Sequence, residues 1–203
     1  ERALDVMAAL YMQCDDIDIN ATFQYTGELG ALTPLQYAYY MEHWGVVRFL
    51  LIFCKASACG SDIYGNTLLH FAVEEGNIDL ALLFIRHGNA DANAVGSRGY
   101  TPLHWAAKYG HVEIARILVI VGKAKASLSA QNNAGQTPLH IALKESHAAM
   151  CHLLIGEFWV NVNISDKKGR RAIDIANQYT LPENIVHLVK EANVLHRRID
   201  WDV

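Results

Sequence analysis

Apolar residues recur in this chain of 203 residues at the spacing expected of short helices. The clearest stretch is residues 112–121, in which Ile114, Ala115, Ile117, Leu118 and Val121 are apolar. This spacing of three to four residues places them on one face of a helix. Residues 106–111, immediately before it, close another short helix. The pattern therefore predicts two short helices in succession.

The tetrapeptide that precedes this helix pair occurs several times. Thr-Pro-Leu-His occupies residues 101–104 and again residues 137–140. Degraded copies begin at Thr33, Thr67 and Arg171. The starts are separated by 34, 34, 36 and 34 residues, and each copy continues alike. A period near 33 residues is typical of short helical solenoids, in which each repeat packs only against its neighbours.

The repeated motif resembles that of the ankyrin repeat family. The resemblance rests on the tetrapeptides, the glycines before most of them and loop sequences such as residues 88–94, and it covers about residues 3–195. It implies an all-α ankyrin-repeat solenoid of helix-turn-helix repeats with protruding β-hairpin-like loops. We expect a single domain over residues 1–203, with about five repeats after a partial N-terminal one whose second helix is residues 3–14. The expected boundaries are 1–32 (partial repeat and loop), 33–66, 67–100, 101–136, 137–170, 171–195 (capping repeat, with a last helix at 182–195) and 196–203 (loose tail).

The residues of the motif have structural explanations. Thr101 can cap the first helix with its hydroxyl, and Pro102 takes the first helical position, where no N–H is needed. The family uses the motif histidine to hydrogen-bond neighbouring backbone, so the resemblance implies this role, rather than metal binding or catalysis, for His70, His104 and His140. The glycines before the motif are expected at positive φ in tight loops: Gly65, Gly99, Gly135 and Gly169.

Composition and charge exclude several classes of partner. With 52% hydrophobic and 19% charged residues the chain is globular, and its formal net charge of −4 offers no strong basic field to nucleic acid or an anionic membrane. Residues 1–79 carry 3 Lys/Arg against 11 Asp/Glu, whereas residues 80–203 carry 14 against 10. A solenoid keeps sequence order in space, so we expect an acidic end and a mildly basic end.

The expected location is the cytoplasm, with the nucleus not excluded. No apolar run reaches the roughly 20 residues of a membrane helix, and the N-terminus lacks the layout of a signal peptide. We expect no membrane insertion, no metal and no cofactor. The cysteines lack the spacing of a zinc site and are expected as buried free thiols in a reducing compartment: Cys14, Cys54, Cys59 and Cys151.

The resemblance also implies where a partner would bind. In this family the first helices and the loop tips line a concave face, where the residue after the tetrapeptide and the two before the next glycine look outward. We therefore predict partner contacts at Tyr37, Tyr40, Met41, Phe71, Glu74, Glu75, Trp105, Lys108, Tyr109 and Lys144, with Arg98 and Tyr100 in one loop. The equivalent positions in the last two repeats also include Ile141, Glu145, Ile175, Gln178 and Tyr179. Aromatic residues often anchor interfaces, but rings here can also fill the space between repeats.

Departures from the repeat pattern mark further candidates. The first connection, residues 23–32, is long, and the third repeat has two extra residues within 122–130; drift and a partner-contacting loop explain these equally well. We expect Trp159 to pack under its loop. A cluster of cations either meets an acidic partner or stays solvated: Lys167, Lys168, Arg170 and Arg171. The resemblance also implies asparagine hydroxylation as a hypothesis for Asn20, Asn93 and Asn163.

The predicted function is that of a monomeric, non-catalytic scaffold that binds a partner protein or peptide, and not nucleic acid. The alternative is a targeting or substrate-recruiting module of a larger enzyme or regulator, such as an acyltransferase, a GTPase-activating protein, a ubiquitin-ligase adaptor or a bacterial effector. Catalysis by this chain is not expected, because no nucleophile and base stand out. The histidines outside the motif that have a definite place begin second helices: His43, His111 and His147.

Overall fold

A computed structural model describes residues 18–24, 31–179 and 181–199. The helix predicted at residues 3–14 lies outside them, as does the end of the predicted tail, 200–203. The described part opens with a short antiparallel ladder of β1 (Phe23–Gln24) and β2 (Ala31–Leu32), in which Phe23 lies opposite Leu32. This ladder forms the base of the long first connection.

Helix pairs follow the ladder, and each pair except the last falls within one of the repeat ranges predicted above. Over the described residues they are α1 (Pro34–Tyr40) and α2 (Trp44–Ile52), α3 (Leu68–Glu74) and α4 (Ile78–His87), α5 (Pro102–Tyr109) and α6 (Val112–Ile120), α7 (Pro138–Lys144) and α8 (Ala148–His152), and α9 (Ala172–Gln178) and α10 (Glu183–Ile199). A π-helical turn, Leu153–Glu157, extends α8. Helix α10 continues past residue 195, so helix replaces the tail predicted at residues 196–199.

The pairs stack into the all-α ankyrin solenoid that the sequence predicted. The first helices α3, α5, α7 and α9 pack against one another in order, as do the second helices α2, α4 and α6, while α8 packs against α10. Equivalent leucines fill the core, and Leu35, Leu69 and Leu103 are each 0% exposed. Small side chains let the helices approach closely, and the equivalent alanines Ala72 and Ala106 are also fully buried.

The first helices of the first four repeats begin with the threonine cap that the motif predicts, whereas α9 follows Arg171, whose N–H donates to Asp174 Oδ2 (2.8 Å). In the third repeat, Thr101 is extended, the Thr101 N–H donates to His104 Nδ1 (3.2 Å), and Pro102 begins the helix. Because Nδ1 accepts a backbone N–H, Nε2 carries the proton and donates to the carbonyl oxygen of Gln136 in the next repeat (2.9 Å). His70 and His140 make the equivalent bonds, to Tyr100 O (3.2 Å) and Arg170 O (3.1 Å). The structural role of the motif histidines is confirmed.

Burial keeps these rings neutral. Desolvation lowers the pKa of His104 from 6.5 to about 4, although its hydrogen bonds to backbone carbonyls oppose the change. Desolvation likewise lowers the pKa of His70 and of His140. The histidines are therefore uncharged parts of the core near neutral pH.

The loops adopt the expected backbone. Gly65, Gly99, Gly135 and Gly169 have φ of 86°, 75°, 74° and 74°, which confirms their predicted role. The extra residues of the third repeat form a 3₁₀ helix, Ala124–Leu128, that packs against α5 and α6. Its Ser127 is buried, so at least this part of the insertion serves packing.

Candidate partner-binding surface

Aromatic side chains predicted to meet a partner lie in two close pairs along the first helices. The Tyr40 and Phe71 ring centroids are 6.1 Å apart, and so are those of Trp105 and Tyr109. The Lys108 Nζ atom lies 5.6 Å from the Trp105 centroid and 4.9 Å from that of Tyr109, within reach of cation–π attraction. We call these five residues the aromatic stripe. All but the exposed Lys108 are half-buried.

The two predicted glutamates of the second repeat already have partners inside the chain. Tyr109 donates its hydroxyl proton to Glu74 Oε1 (2.7 Å) from the third repeat, and Tyr39 donates to Glu75 Oε1 (2.5 Å) from the first. Desolvation, followed by the bond to Glu75, raises the pKa of Tyr39 above its ordinary range. The carboxylates therefore join three repeats. Sequence reasoning missed Tyr39 because it predicted contacts only at positions facing outward.

The remaining predicted contacts of the helices differ in how accessible they are. Tyr37 is half-buried, and its ring lies 5.7 Å from that of Phe23 in an edge-on contact. Met41 is also half-buried. Lys144 is exposed, and its Nζ lies 3.4 Å from Glu145 Oε1. Their partner-binding role stays a prediction.

The outward-facing position after the tetrapeptide was also predicted in the last two repeats, beyond the aromatic stripe. Ile141 is 2% exposed and Ile175 is 1% exposed, so the outward-facing prediction was wrong for both. They occupy the position of Phe71 and Trp105. An isoleucine is small enough to be covered by the neighbouring helices, whereas the larger rings are covered only in part.

Trp105 fits both interpretations of the aromatic positions. Its ring packs edge-on to His70 of the preceding repeat, with centroids 6.3 Å apart, so it fills space between repeats. Its Nε1 atom is buried and meets no acceptor among the described protein atoms. The rest of the ring borders the exposed Lys108 and remains available to a partner.

Exposed apolar side chains occur at the loop tips. Ile63 and Tyr64 are each 68% exposed and Val95 is 66% exposed. Ile63 and Val95 were missed, although their sequence signal is plain: apolar residues in loops whose equivalents elsewhere are mostly polar. The predicted contact Arg98 is exposed, whereas the Tyr100 ring is half-buried against His104, with centroids 5.5 Å apart.

The cation cluster divides into paired and unpaired members. Arg170 Nη2 lies 2.7 Å from Asp166 Oδ2, and Arg171 Nε lies 3.6 Å from Asp174 Oδ2. Burial opposes ionisation of Asp166, but the N–H and guanidinium donors of Arg170 hold its pKa below the ordinary value. Lys167 and Lys168 are exposed, and among the described residues no carboxylate pairs with either.

Trp159 is not packed under its loop, so that prediction was wrong. Its side chain is 69% exposed, and its backbone is left-handed with φ of 52°. Lys55, Asn89 and Lys123 occupy the same place after the second helix of earlier repeats, with φ of 56°, 52° and 56°. The backbone there directs the side chain away from the core, and Trp159 instead borders an apolar groove with Ile155, Leu188 and Leu195.

The asparagines proposed for hydroxylation lie in the loops between repeats, and two of them accept hydrogen bonds from a neighbouring loop. Asn20 Oδ1 accepts from Ser57 N (2.7 Å), and Asn93 Oδ1 accepts from Ser127 N (3.2 Å) and Ser127 Oγ (3.0 Å). Asn163 Oδ1 is buried and has no donor among the described residues. The Asn20 and Asn93 side chains thus each connect one loop to the next, and hydroxylation stays a prediction for all three.

Within the residues that the structure describes, no group of three or more His, Cys, Asp or Glu side chains is placed to hold a metal ion. His111 and His147 begin second helices, as predicted. The His111 Nε2 atom lies 3.4 Å from the carbonyl oxygen of Glu74, and the His147 Nε2 atom lies 3.0 Å from that of Lys108. None of the described helices combines the length and apolar character needed to cross a membrane.

Comparison with known families agrees with this architecture. The family model described as ankyrin repeats (3 copies) matches residues 44–127, and that described as ankyrin repeats (many copies) matches residues 104–155. Together they cover more than half of the chain. The chain belongs to the ankyrin repeat family. Ankyrin repeats are generally protein–protein interaction modules, and the family is generally non-catalytic.

Several curated proteins are similar to parts of this ankyrin repeat chain. The fowlpox virus ankyrin repeat protein FPV223 is 37% identical over 89 residues, covering 43% of this chain and 60% of the viral protein. The zebrafish (Danio rerio) Notch-regulated ankyrin repeat-containing protein A is 39% identical over 67 residues, covering 33% of this chain and 57% of the zebrafish protein. The chicken (Gallus gallus) nuclear factor NF-kappa-B p105 subunit is 41% identical over 58 residues, covering 29% of this chain and 6% of the chicken protein. The chain therefore spans less than two-thirds of each of these relatives.

Proposed function

We propose that this protein is a monomeric, non-catalytic scaffold that binds a partner protein or peptide with its aromatic stripe and loop tips. The observation that carries the proposal is the set of exposed apolar side chains on a hydrogen-bonded frame. Ile63, Tyr64 and Val95 are each at least 66% exposed. An exposed group of large apolar side chains is typical of an interaction site. Tyrosine, tryptophan and other large apolar residues are those that interfaces cover most often.

Site-directed photo-crosslinking tests this proposal. A photo-reactive phenylalanine replaces Lys108, in the aromatic stripe, and in a control protein replaces the exposed Ile120 at the end of α6. We expect position 108 to form a covalent adduct with a protein that position 120 does not capture. The further substitution Tyr40→Ala is expected to reduce the adduct. Identical adducts from both positions, or none from position 108, would contradict a binding face at the stripe.

A second candidate is the targeting module of a larger enzyme or regulator. It is supported by the relatives in which the matching region is small, since the match covers 6% of the chicken p105 subunit and 6% of the rice (Oryza sativa subsp. japonica) potassium channel AKT3. Intact-mass analysis of the protein from its own cells tests this candidate. A chain much longer than 203 residues that includes a catalytic domain supports the module; a chain close to this length supports the independent scaffold.

The proposed location is the cytoplasm or the nucleus. Cys59 and Cys151 are free thiols, the state that cysteines keep in a reducing compartment. Cys151 is buried as expected, whereas Cys59 is exposed, so the prediction of burial was wrong for Cys59. Cell fractionation tests this proposal, and recovery in the secretory pathway would contradict it. Light scattering of the purified protein tests whether it is a monomer.

A further inference from the structure

The turns at the loop tips form a continuous row. Each turn holds two residues: 63–64, 97–98, 133–134 and 167–168. Adjacent turns are joined by hydrogen bonds, from Ser97 N to Asn66 Oδ1 (2.9 Å), from Asn133 N to Arg98 O (2.9 Å), and from Lys167 N to Ala134 O (3.0 Å). We call these four turns the tip row. Because the turns are fixed to one another, the row presents its side chains as one surface rather than as independent loops.

The second, third and fourth turns approach so closely that only glycine fits between them, at Gly99 and Gly135. A Cβ atom on Gly99 would lie 2.6 Å from Asn133 Oδ1, and one on Gly135 would lie 2.7 Å from Lys167 N. Both glycines also have positive φ, which side-chain-bearing residues rarely adopt. The backbone of the tip row is therefore determined by the repeat, while its outward side chains are not.

The chemistry of these outward side chains changes from one end of the row to the other. The apolar Ile63, Tyr64 and neighbouring Val95 lie at the start and are each at least 66% exposed. Arg98 follows in the second turn, and Lys167 and Lys168 complete the row. All three cations are exposed, and among the described residues no carboxylate pairs with any of them.

The carboxylates of these loops do not offset the cations. Asp62 Oδ1 accepts the N–H groups of Tyr64 and Asn66 (2.8 Å each), so it is directed toward its own loop. Asp166 is 6% exposed and is paired with Arg170. The outward side chains of the row are thus apolar in its first turn, positively charged at Arg98 in its second and at Lys167 and Lys168 in its fourth, and uncharged in its third, although the whole chain has a net charge of −4.

We propose that the tip row binds an extended acidic segment of a partner protein, with an apolar residue against Ile63, Tyr64 and Val95 and carboxylates against Lys167 and Lys168. This proposal rests on the proposed scaffold function and names the chemistry of its partner. An acidic peptide complements both ends of the row. A nucleic acid strand would complement only the cations, and the acidic first repeats would repel it.

The geometry sets the spacing of the two recognition elements. Packed helices lie about 8–10 Å apart, so the three steps from the first turn to the last span about 24–30 Å. An extended chain advances about 3.3 Å per residue. The apolar residue and the carboxylates of the partner are therefore expected about seven to nine residues apart.

Synthetic peptides measured by fluorescence anisotropy test the proposal. The probe is a labelled peptide with a Leu-Phe pair, a Gly/Ser spacer of about eight residues and a run of glutamates, made in both chain directions. One comparison peptide has lysines in place of the glutamates, and another has a spacer of about two residues. We expect one direction of the long-spacer acidic probe to bind at least about tenfold more tightly than either comparison peptide.

Matched variants show whether the row is responsible. The substitutions Lys167→Glu with Lys168→Glu, and separately Ile63→Ser with Tyr64→Ser, are each expected to weaken the acidic probe at least about tenfold. The control reverses two exposed lysines outside the row, Lys123→Glu with Lys125→Glu, and should change the affinity less than about twofold. The lysine peptide should bind the 167/168 variant better than the unchanged protein.

Several results would overturn the proposal. They are an equal loss in the 123/125 control, indifference to spacer length, no binding of any peptide, or tighter binding of a single-stranded DNA oligonucleotide that the 167/168 substitutions abolish. The crosslink from position 108 distinguishes this failure from failure of the scaffold proposal. If the 167/168 variant retains the adduct at full yield, the stripe binds a partner without help from the tip row.

Discussion

The central and outer repeats differ at the position three residues after each capping residue. This position holds His70, His104 and His140 in the centre, and Gln36 and Asp174 at the two ends. His104 makes two bonds, one to its own cap and one to the Gln136 carbonyl oxygen (2.9 Å) of the next repeat. Gln36 accepts from Thr33 N (2.8 Å), which is the local bond. The comparison shows that the cap and the bond between repeats are separate contributions, and that several side chains can supply the first.

Among the variants, His104→Ala is expected to lower the free energy of unfolding the most. The substitution removes both bonds, and it leaves the N–H of the buried Thr101 unpaired in a space that solvent does not reach. The Gln136 carbonyl oxygen keeps only the bond from Asn132 N (2.9 Å). We expect the free energy of unfolding to fall by about 3 kcal/mol. Gln36→Ala removes the local cap and should cost only about 1 kcal/mol. Urea unfolding followed by circular dichroism measures both, and equal losses would show that the bond between repeats contributes nothing.

The pH dependence of stability sharpens the same comparison. Because the pKa of His104 is about 4 in the folded chain and 6.5 is its ordinary value, the unfolded chain binds a proton between these values that the folded chain does not. The free energy of unfolding therefore falls as pH falls through this window, and this ring alone accounts for about 2 kcal/mol between pH 7 and pH 5.

His104→Gln is the matched variant, because glutamine already forms the cap in the first repeat. It keeps an acceptor for Thr101 N but cannot titrate. We expect urea midpoints measured at pH 7 and pH 5 to differ less in this variant than in the unchanged protein. His70 and His140 should preserve part of the difference, since burial lowers their pKa values also. The same difference in both proteins would exclude His104 as its source.

The frame of the fold could be predicted from the sequence because it depends on local chemistry. Capping threonines, prolines at the first helical position and glycines at positive φ have the same consequence in any repeat. The exposure of side chains is different, because it depends on what the next repeat supplies. Ile141 and Phe71 occupy equivalent positions, yet only the isoleucine is small enough to disappear between helices.

The tyrosine–glutamate bonds of the second repeat are a smaller contribution and show the same dependence on neighbours. Tyr39→Phe removes the bond to Glu75 from a residue that is 5% exposed. We expect it to cost about 1.5 kcal/mol of unfolding free energy. Tyr109→Phe removes the bond to Glu74 from a half-buried residue that water can reach, and it should cost about 0.5 kcal/mol. Thermal unfolding of both variants shows which substitution lowers the stability more. A larger loss of stability in Tyr109→Phe than in Tyr39→Phe would contradict this dependence on burial.

Trp159 could have been placed correctly by comparing repeats rather than by its hydrophobicity. Lys55, Asn89 and Lys123 precede it at the same place, and lysine or asparagine there indicates an exposed, left-handed residue. The general expectation that tryptophan is buried misled because the backbone, determined by the repeat, directs this position to solvent.

Exchanging residues between the second and fourth repeats tests this explanation. Asparagine tolerates the left-handed conformation better than a bulky side chain, so Trp159→Asn is expected to raise the free energy of unfolding by about 0.5–1 kcal/mol. Asn89→Trp, at φ of 52° in the second repeat, should lower it by a similar amount. Denaturant unfolding of the two variants measures both changes in the free energy of unfolding. If Trp159→Asn destabilised the protein instead, the contacts of the indole with Ile155 and Leu195 in its groove would outweigh the backbone strain, and the groove rather than the turn would explain why this repeat carries a tryptophan.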